Sequence, residues 1–367
     1  MHRTTCFRIV CSMGYLLGLG FPLSAGDRLP SKNLLLFHNA QGEQQPVRTV
    51  ADWEQRRAEV VSGMLEVMGK LPGDEKRCPL DMQVEEETDC GSYVRRLITY
   101  ASEPGSRVPA YLLIPKKALE NERLVPAVLC LHPTDNAVGH KVVVGLGGRE
   151  NRNYAEELAE QGYVTLAPSY PLLANYQPDV HALGWESGTL KAVWDNMRGL
   201  DLLESLPYVD SRNGFGAIGH SLGGHNAIYT AVLDSRVSVV VSSCGFDSFT
   251  DYYNGDPKNW VLERGWCQTR YMPRLADYQN RLDEIPFDFT ELIGALAPRR
   301  VFVSAPQQDS NFQMASVQKI VVEANRIYAL YNRTGYLQAV HPDCPHDFPD
   351  ESRKQAYEAI AQTLVVP

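Results

Sequence analysis

The feature that most limits how this chain can fold is a regular alternation, from Val125 onward, of short apolar runs and stretches with helical spacing. The apolar runs are VPAVLCL, YVTLAP, FGAIG, SVVVSSC, RVFVSAP and YLQAV, and the helical stretches are 154–161, 190–206, 222–233, 314–331 and 351–364. A strand that is apolar on both faces must be covered by helices on both faces, as parallel strands are. The sequence therefore predicts an α/β fold with a doubly wound, mostly parallel sheet.

The segment before this alternation has a different pattern. Residues 51–69 show helical apolar spacing that stops at a glycine, and residues 93–102 and 108–114 are short strand patterns separated by a Pro-Gly turn. We expect an N-terminal extension over residues 26–107, made of this helix and the first strands. The main domain should then comprise residues 108–367.

The first 25 residues have the pattern of a signal peptide. Arg3 and Arg8 give a positively charged start, residues 9–23 are largely apolar, and Leu23-Ser24-Ala25 offers a cleavage site of small residues. The sequence thus predicts cleavage after residue 25 and export to the periplasm or the medium.

Composition excludes several classes of partner and cofactor. The formal charge of −9 and the lack of a long Lys/Arg run argue against nucleic-acid binding. No stretch after the signal peptide reaches the roughly 20 apolar residues of a membrane span. There is no Cys-x-x-Cys pair, and residues 145–148 (GLGG) lack the rest of a dinucleotide or P-loop motif. We therefore predict no metal and no cofactor.

Six cysteines follow the predicted cleavage site, an even number that permits disulfides in an exported protein. Cys130 and Cys244 lie in or at the end of predicted core strands, which favours buried thiols. Two pairs stay open as disulfides, Cys78 with Cys90 and Cys267 with Cys344.

The pentapeptide Gly219-His220-Ser221-Leu222-Gly223 matches Gly-x-Ser-x-Gly, the nucleophile elbow. It follows a predicted strand and opens a predicted helix, which is the context that this motif requires. A serine on such a turn is exposed at the edge of the sheet, so we predict that Ser221 is a nucleophile.

A serine hydroxyl needs a base, and the base needs an acid to orient it. Asp309 and His346 each follow a later predicted strand, so both should lie at the same edge of the sheet as Ser221. Asp247, which follows another predicted strand, is the alternative acid.

The tetrahedral intermediate of acyl transfer needs backbone N–H donors for its oxyanion. Leu222, directly after the nucleophile, should supply one. The second should come from the loop after VPAVLCL, where Pro133 has no N–H to give. Thr134 is therefore the predicted second donor, with Asp135 as the fallback.

On these residues the sequence resembles the α/β-hydrolase superfamily, and within it the exported esterases grouped with dienelactone hydrolases and acetyl xylan esterases. The resemblance extends from about residue 108 to the C terminus and includes WDNMRGLDLLESLPYVD, DSNF and HDFP. It implies a serine hydrolase that cleaves carboxylic esters through a Ser-His-Asp triad and an acyl-enzyme, with residues 108–367 as its catalytic domain. Two departures are notable. Dienelactone hydrolases use cysteine as the nucleophile, and the usual His-Gly of the oxyanion loop is His132-Pro133 here.

An aromatic-rich interruption, residues 246–285, follows the predicted strand that ends at Cys244. Loops of this length are often lids or binding loops, although its aromatic residues could equally form a small core of their own. We predict a lid-like insertion whose aromatic faces bind a carbohydrate ester such as acetylated plant polysaccharide. The residues predicted to contact substrate are His220, Trp260, Trp266 and Tyr271.

Two other functions remain open at this stage. A peptidase like the prolyl oligopeptidases would share the catalytic fold, but the 67 residues between the predicted signal peptide and the hairpin leave no room for a propeller. A non-catalytic binding protein on the same fold would need no triad.

Overall fold

A computed structural model describes residues 28–120 and 124–366. The predicted signal peptide therefore lies outside the described residues. The strands are β1 (Leu36–His38), β2 (Gln44–Pro46), β3 (Gln83–Asp89), β4 (Tyr93–Glu103), β5 (Ser106–Pro115), β6 (Ala127–Leu131), β7 (Val164–Pro168), β8 (Phe215–His220), β9 (Val237–Ser243), β10 (Arg300–Ser304) and β11 (Leu337–Val340). The helices are α1 (Val50–Met68), α2 (Lys116–Glu120), α3 (Tyr154–Glu160), α4 (Gly188–Ser205), α5 (Leu222–Leu233), α6 (Phe289–Ala295), α7 (Met314–Leu330) and α8 (Asp350–Ala361).

Nine of these strands form one sheet in the order β11-β10-β9-β8-β6-β7-β5-β4-β3. The six strands from β11 to β7 are joined by parallel pairing, and β5, β4 and β3 continue the sheet in antiparallel pairing. The predicted fold class, a mostly parallel doubly wound sheet, is confirmed.

Helices cover both faces because neighbouring residues of each central strand point to opposite sides. In β6, Leu129 packs into the core shared with α4, α5 and α7, whereas Val128 and Cys130 pack into the core shared with α3 and α8. The strands are therefore buried on both faces, as their uninterrupted apolar runs predicted.

The N-terminal segment supports the sheet from one side. Helix α1 begins at a capping box between Thr49 and Asp52 and buries Trp53 in the core shared with α4 and α7. The predicted helix and the β4–β5 hairpin are both present, and β3 and β4 belong to the main sheet. The division predicted at residue 107 thus falls inside one hairpin, and its use as a domain boundary stays a prediction.

The insertion consists of short 3-10 turns between Tyr252 and Glu284, followed by α6. Its aromatic side chains pack on one another: the Trp260 ring lies 5.7 Å from that of Phe249 and 5.8 Å from that of Tyr252. Trp266 also stacks on His225 of α5, and Phe249 packs against Phe289 of α6, so these side chains belong to the main core rather than to a separate core of the insertion.

The described residues also bear on disulfide pairing and on membrane-spanning helices. All six of their cysteines are free, so neither Cys78 with Cys90 nor Cys267 with Cys344 forms a disulfide. No helix in this part of the chain is at once long and apolar enough to span a membrane.

Candidate active site

The Gly-x-Ser-x-Gly motif forms a sharp turn between β8 and α5. Ser221 has φ 55° and ψ −122°, a strained conformation for a residue with a side chain. A Cβ on Gly219 would lie 2.2 Å from the Gly223 carbonyl carbon, and one on Gly223 would lie 1.9 Å from the Leu131 carbonyl oxygen. Only glycine fits at either position, because the turn and the end of β6 are in direct contact.

Backbone hydrogen bonds hold the strained serine in place. The Ser221 N–H donates to the Ser243 carbonyl at 2.7 Å, and the Ser221 carbonyl accepts from the N–H of His225 at 2.9 Å. Leu222 is the first residue of α5, so its N–H has no partner within the helix. This N–H is available to an anion beside the serine, and the role of Leu222 as an oxyanion donor stays a prediction.

The loops that follow β10 and β11 bring Asp309 and His346 together. His346 Nδ1 lies 2.9 Å from both carboxylate oxygens of Asp309. Asp309 Oδ1 also accepts from the backbone N–H groups of Asn311 and Phe312, at 2.8 and 3.3 Å. The Asp309 side chain is only 1% exposed, whereas that of His346 is 17% exposed. The acid is therefore fixed and buried, and the ring that it orients reaches the surface of the site.

The alternative acid, Asp247, lies in a different environment. Its Oδ2 accepts from the Gln313 N–H at 3.0 Å, and no histidine in the described residues is hydrogen-bonded to it. Burial raises the pKa of Asp247 to about 8, with smaller contributions from nearby acidic groups. The structure pairs His346 with Asp309 and not with Asp247.

The base also lies next to the elbow. The His346 ring packs at 4.8 Å, edge to face, against the ring of His220, the residue before Ser221. Within the described residues, no hydrogen bond joins the Ser221 hydroxyl to His346. Such bonds are often long in unliganded hydrolases and tighten when substrate binds.

The loop that is predicted to supply the second oxyanion donor is anchored by the ring of His132. The Tyr170 N–H donates to His132 Nε2 at 2.9 Å, which puts the ring proton on Nδ1, where it is donated to the Pro133 carbonyl at 2.7 Å. Burial lowers the pKa of His132 to about 4, so the ring is neutral at pH 7. The N–H of Thr134 belongs to the same peptide group as the Pro133 carbonyl, so it points away from this ring.

The predicted substrate-contact residues have different surroundings. His220 is buried, and burial lowers its pKa well below the ordinary value, so it is a neutral packing residue under the site. Trp266 stacks on His225 at 3.9 Å, and Tyr271 shares a hydrogen bond of 2.9 Å with the Thr134 hydroxyl. Trp260 is 0% exposed, so its prediction as a substrate contact is wrong: the ring is packed inside the main core.

Sequence reasoning missed one residue that holds the base loop. Arg152, 3% exposed, donates to the Asp347 carboxylate and, at 3.3 Å, to the His346 carbonyl. It lies in a polar segment without a recognisable motif, so nothing in the sequence singled it out.

Three residues at the site have the chemistry of metal ligands. The ligand atoms of Cys244, Asp309 and His346 lie within 4.8 Å of one another.

Comparisons with known proteins point in the same direction as this geometry. Residues 179–332 match the family model described as glucuronyl esterase, fungi. The putative hydrolase YtaP of Bacillus subtilis (strain 168) is 26% identical over 283 residues, which cover 74% of this chain and 88% of the relative.

Solved structures share the fold. A glucuronoyl esterase from Solibacter usitatus superposes with a TM-score of 0.70 at 19% identity and covers 90% of this chain and 97% of its own. A putative acetyl xylan esterase from Bacteroides fragilis gives a TM-score of 0.59 at 17% identity, with 86% and 80% covered. The neighbours confirm the predicted α/β-hydrolase fold, and the comparisons agree with the predicted esterase class.

Proposed function

We propose that the chain is a serine carboxylic-ester hydrolase that acts on carbohydrate esters. The observation that supports this most directly is the hydrogen bond between Asp309 and His346, whose ring packs beside the strained Ser221 elbow. The nucleophile, acid and base follow one another along the chain in the order of α/β-hydrolases.

In the proposed mechanism, Ser221 attacks the ester carbonyl and His346 Nε2 takes the hydroxyl proton. Asp309 keeps the other ring proton on Nδ1 and stabilises the imidazolium that forms. The N–H of Leu222 binds the oxyanion together with the predicted second donor, the N–H of Thr134; each such donor typically contributes about 3 kcal/mol. His346 then protonates the leaving alcohol, and the acyl group stays bound to Ser221. A water molecule that gives a proton to the same ring attacks this acyl-enzyme and releases the carboxylic acid product.

The substrate class is proposed from the surroundings of the base and from the relatives. The Phe312 ring lies 6.0 Å from the His346 ring and 6.1 Å from the Trp266 ring, and the Trp266 ring lies 5.1 Å from that of Tyr271. These rings are 5–7% exposed, so we propose that a sugar contacts their exposed edges, and Tyr271 adds a hydroxyl beside the oxyanion loop. Structural neighbours include a glucuronoyl esterase and a putative acetyl xylan esterase. We therefore propose an acyl or uronoyl ester of a polysaccharide, encountered outside the cytoplasm after cleavage of residues 1–25.

The test is hydrolysis of p-nitrophenyl acetate by the wild-type chain and by S221A, H346A and H341A. The first two variants should lose turnover by at least 10³-fold, since nucleophile and base act as a unit. His341 is the matched control: it lies near the same loop, and its Nδ1 is 2.9 Å from the Ala305 carbonyl, so H341A should keep its rate.

A panel of acetylated xylo-oligosaccharides, methyl glucuronate esters, simple aryl acetates and prolyl peptides then assigns the substrate. Higher kcat/KM for a sugar ester than for the aryl acetate supports the carbohydrate proposal. Equal turnover of p-nitrophenyl acetate by the wild type and S221A would contradict the mechanism and favour a binding protein, and cleavage of the peptides alone would favour a peptidase.

A further inference from the structure

We propose that Cys244, Asp309 and His346 form an inhibitory site for a thiophilic divalent cation such as Zn²⁺. The three residues follow three neighbouring parallel strands, β9, β10 and β11, and their ligand atoms lie within 4.8 Å of one another. The inhibition rests on the proposed esterase function, whereas the binding of the metal does not.

The distances suit a zinc ion after a small adjustment. Zinc binds sulfur at about 2.3 Å and nitrogen or oxygen at about 2.0–2.1 Å, so tetrahedral ligands lie about 3.3–3.7 Å apart. His346 Nδ1 and Asp309 are 2.9 Å apart and must separate by about 0.4 Å, whereas the widest separation in the set must close by about 1 Å. Thiolate and imidazole favour Zn²⁺ or Cd²⁺ over Mg²⁺ and Ca²⁺.

The three proposed ligands are held in place by backbone contacts with residues outside the set. Cys244 has φ 49° and its N–H donates to the Ser304 carbonyl, so the strained residue is fixed between β9 and β10. The two other loops are tied together, because the N–H groups of Gln307 and Gln308 donate to the carbonyls of Pro342 and Cys344. The Cys244 thiol faces the Asp347 carbonyl at 3.3 Å, beside the base.

The mode of inhibition follows from the imidazole tautomer. In the resting site Nδ1 carries a proton that it donates to Asp309, which leaves Nε2 free to accept the proton of Ser221. A cation on Nδ1 requires that this proton move to Nε2, while the thiol loses its own proton to solvent as the metal–sulfur bond forms. The ring then presents an N–H to the serine and cannot act as its base.

Sequence spacing could not reveal such a site. Its three ligands are separated by 65 and 37 residues, far from the short spacings that mark a structural zinc site. The prediction of no metal was made from those short spacings, and the proposed ion is an inhibitor rather than a cofactor.

The test measures Zn²⁺ inhibition of p-nitrophenyl acetate hydrolysis by the full chain and by C244A, C244S and C344A, each relative to its own uninhibited rate. The wild type and C344A should be inhibited by micromolar Zn²⁺ and recover with EDTA. Loss of one ligand should weaken inhibition of both Cys244 variants on the order of 100-fold. C344A is the matched control, because it removes a thiol from the same loop as His346 but not from the cluster.

A second readout, independent of activity, is binding of Co²⁺ followed by its thiolate charge-transfer absorption, with the melting temperature of each variant as a check on folding. An absorption band in the wild type and C344A that is absent in both Cys244 variants supports the site, even if the chain hydrolyses no ester. Equal Zn²⁺ inhibition of wild type and C244A, or no thiolate band with Co²⁺ in the wild type, would overturn the proposal.

Discussion

Replacing Asp309 by asparagine should reverse the tautomer of His346 without changing the shape of the site. Asp309 Oδ1 accepts from the N–H groups of Asn311 and Phe312, and an amide oxygen can keep both bonds. The amide nitrogen of D309N then takes the place of Oδ2, which is also 2.9 Å from His346 Nδ1, and there it can only donate. Nδ1 becomes an acceptor, the ring proton moves to Nε2, and the base is lost.

The expected size of this effect is about 10⁴-fold in kcat, equivalent to about 5 kcal/mol of transition-state stabilisation. The loss should appear in kcat rather than KM, because Asp309 is 1% exposed and does not contact the substrate surface. Stability should change little, since both backbone bonds are kept. Steady-state hydrolysis of p-nitrophenyl acetate and thermal melts of the same preparation measure the two quantities.

D247N is the control variant that distinguishes Asp309 from Asp247 as the residue that orients His346. With a pKa of about 8, Asp247 is largely protonated at pH 7, so asparagine replaces a neutral group and turnover should stay within a few-fold of the wild type. A buried carboxyl with a raised pKa binds its proton in the folded state between about pH 4 and pH 8, while the unfolded chain does not. Stability of the wild type therefore falls by up to about 1.4 kcal/mol per pH unit as pH rises through this range, and D247N should be free of that loss.

Two results would contradict the role of Asp309: turnover of D309N within tenfold of the wild type, or a loss in D247N as large as the one expected for D309N. In the second case Asp247 would be the orienting acid. A melting temperature of D247N that runs parallel to the wild type from pH 5 to pH 8 would separately contradict the buried, protonated state of Asp247.

Three further predictions concern residues that support the site and the fold around it. G223A should destabilise the chain by about 3 kcal/mol and lower activity, because its methyl group would lie 1.9 Å from the Leu131 carbonyl; wild-type melting and kcat would contradict this. Y271F and T134A each remove one end of a 2.9 Å hydrogen bond, so a double-mutant cycle on kcat/KM or stability should give a coupling of about 1 kcal/mol, and strict additivity would show that the bond is absent. K191M should cost about 3–5 kcal/mol in urea unfolding while the rate per folded molecule is unchanged, because Lys191 is 0% exposed and neutralises two buried carboxylates.

The elements that the sequence predicted well are those with a complete apolar pattern. Helix α5 begins and ends at the predicted residues 222 and 233, and each apolar run became a strand of the parallel sheet. Strand β3 was missed because its sequence, QVEEETD, is almost wholly exposed at the edge of the sheet and lacks alternation. Helix α6 was missed since its start depends on a capping box between Asp288 and Glu291, a local signal that follows a Gly- and Pro-broken stretch.

The site was predictable to the extent that strand ends define it. Asp247 and Asp309 both follow parallel strands, so topology alone could not separate them; the difference lies in which carboxylate meets the imidazole. Likewise, the aromatic content of residues 246–285 does not predict which way each ring points. Trp260 turned inward and Trp266 stacked on a histidine of α5, although both occur in the same kind of segment.

One ring nitrogen links the proposed catalysis to the proposed inhibition. The parallel sheet brings the ends of β9, β10 and β11 side by side, so the side chains that follow them meet around His346 Nδ1. A carboxylate there keeps the proton in place, whereas a cation held partly by Cys244 would remove it. The arrangement that makes His346 a base therefore also allows a thiophilic metal to bind it, and the esterase rate should respond to micromolar Zn²⁺ only as long as Cys244 is present.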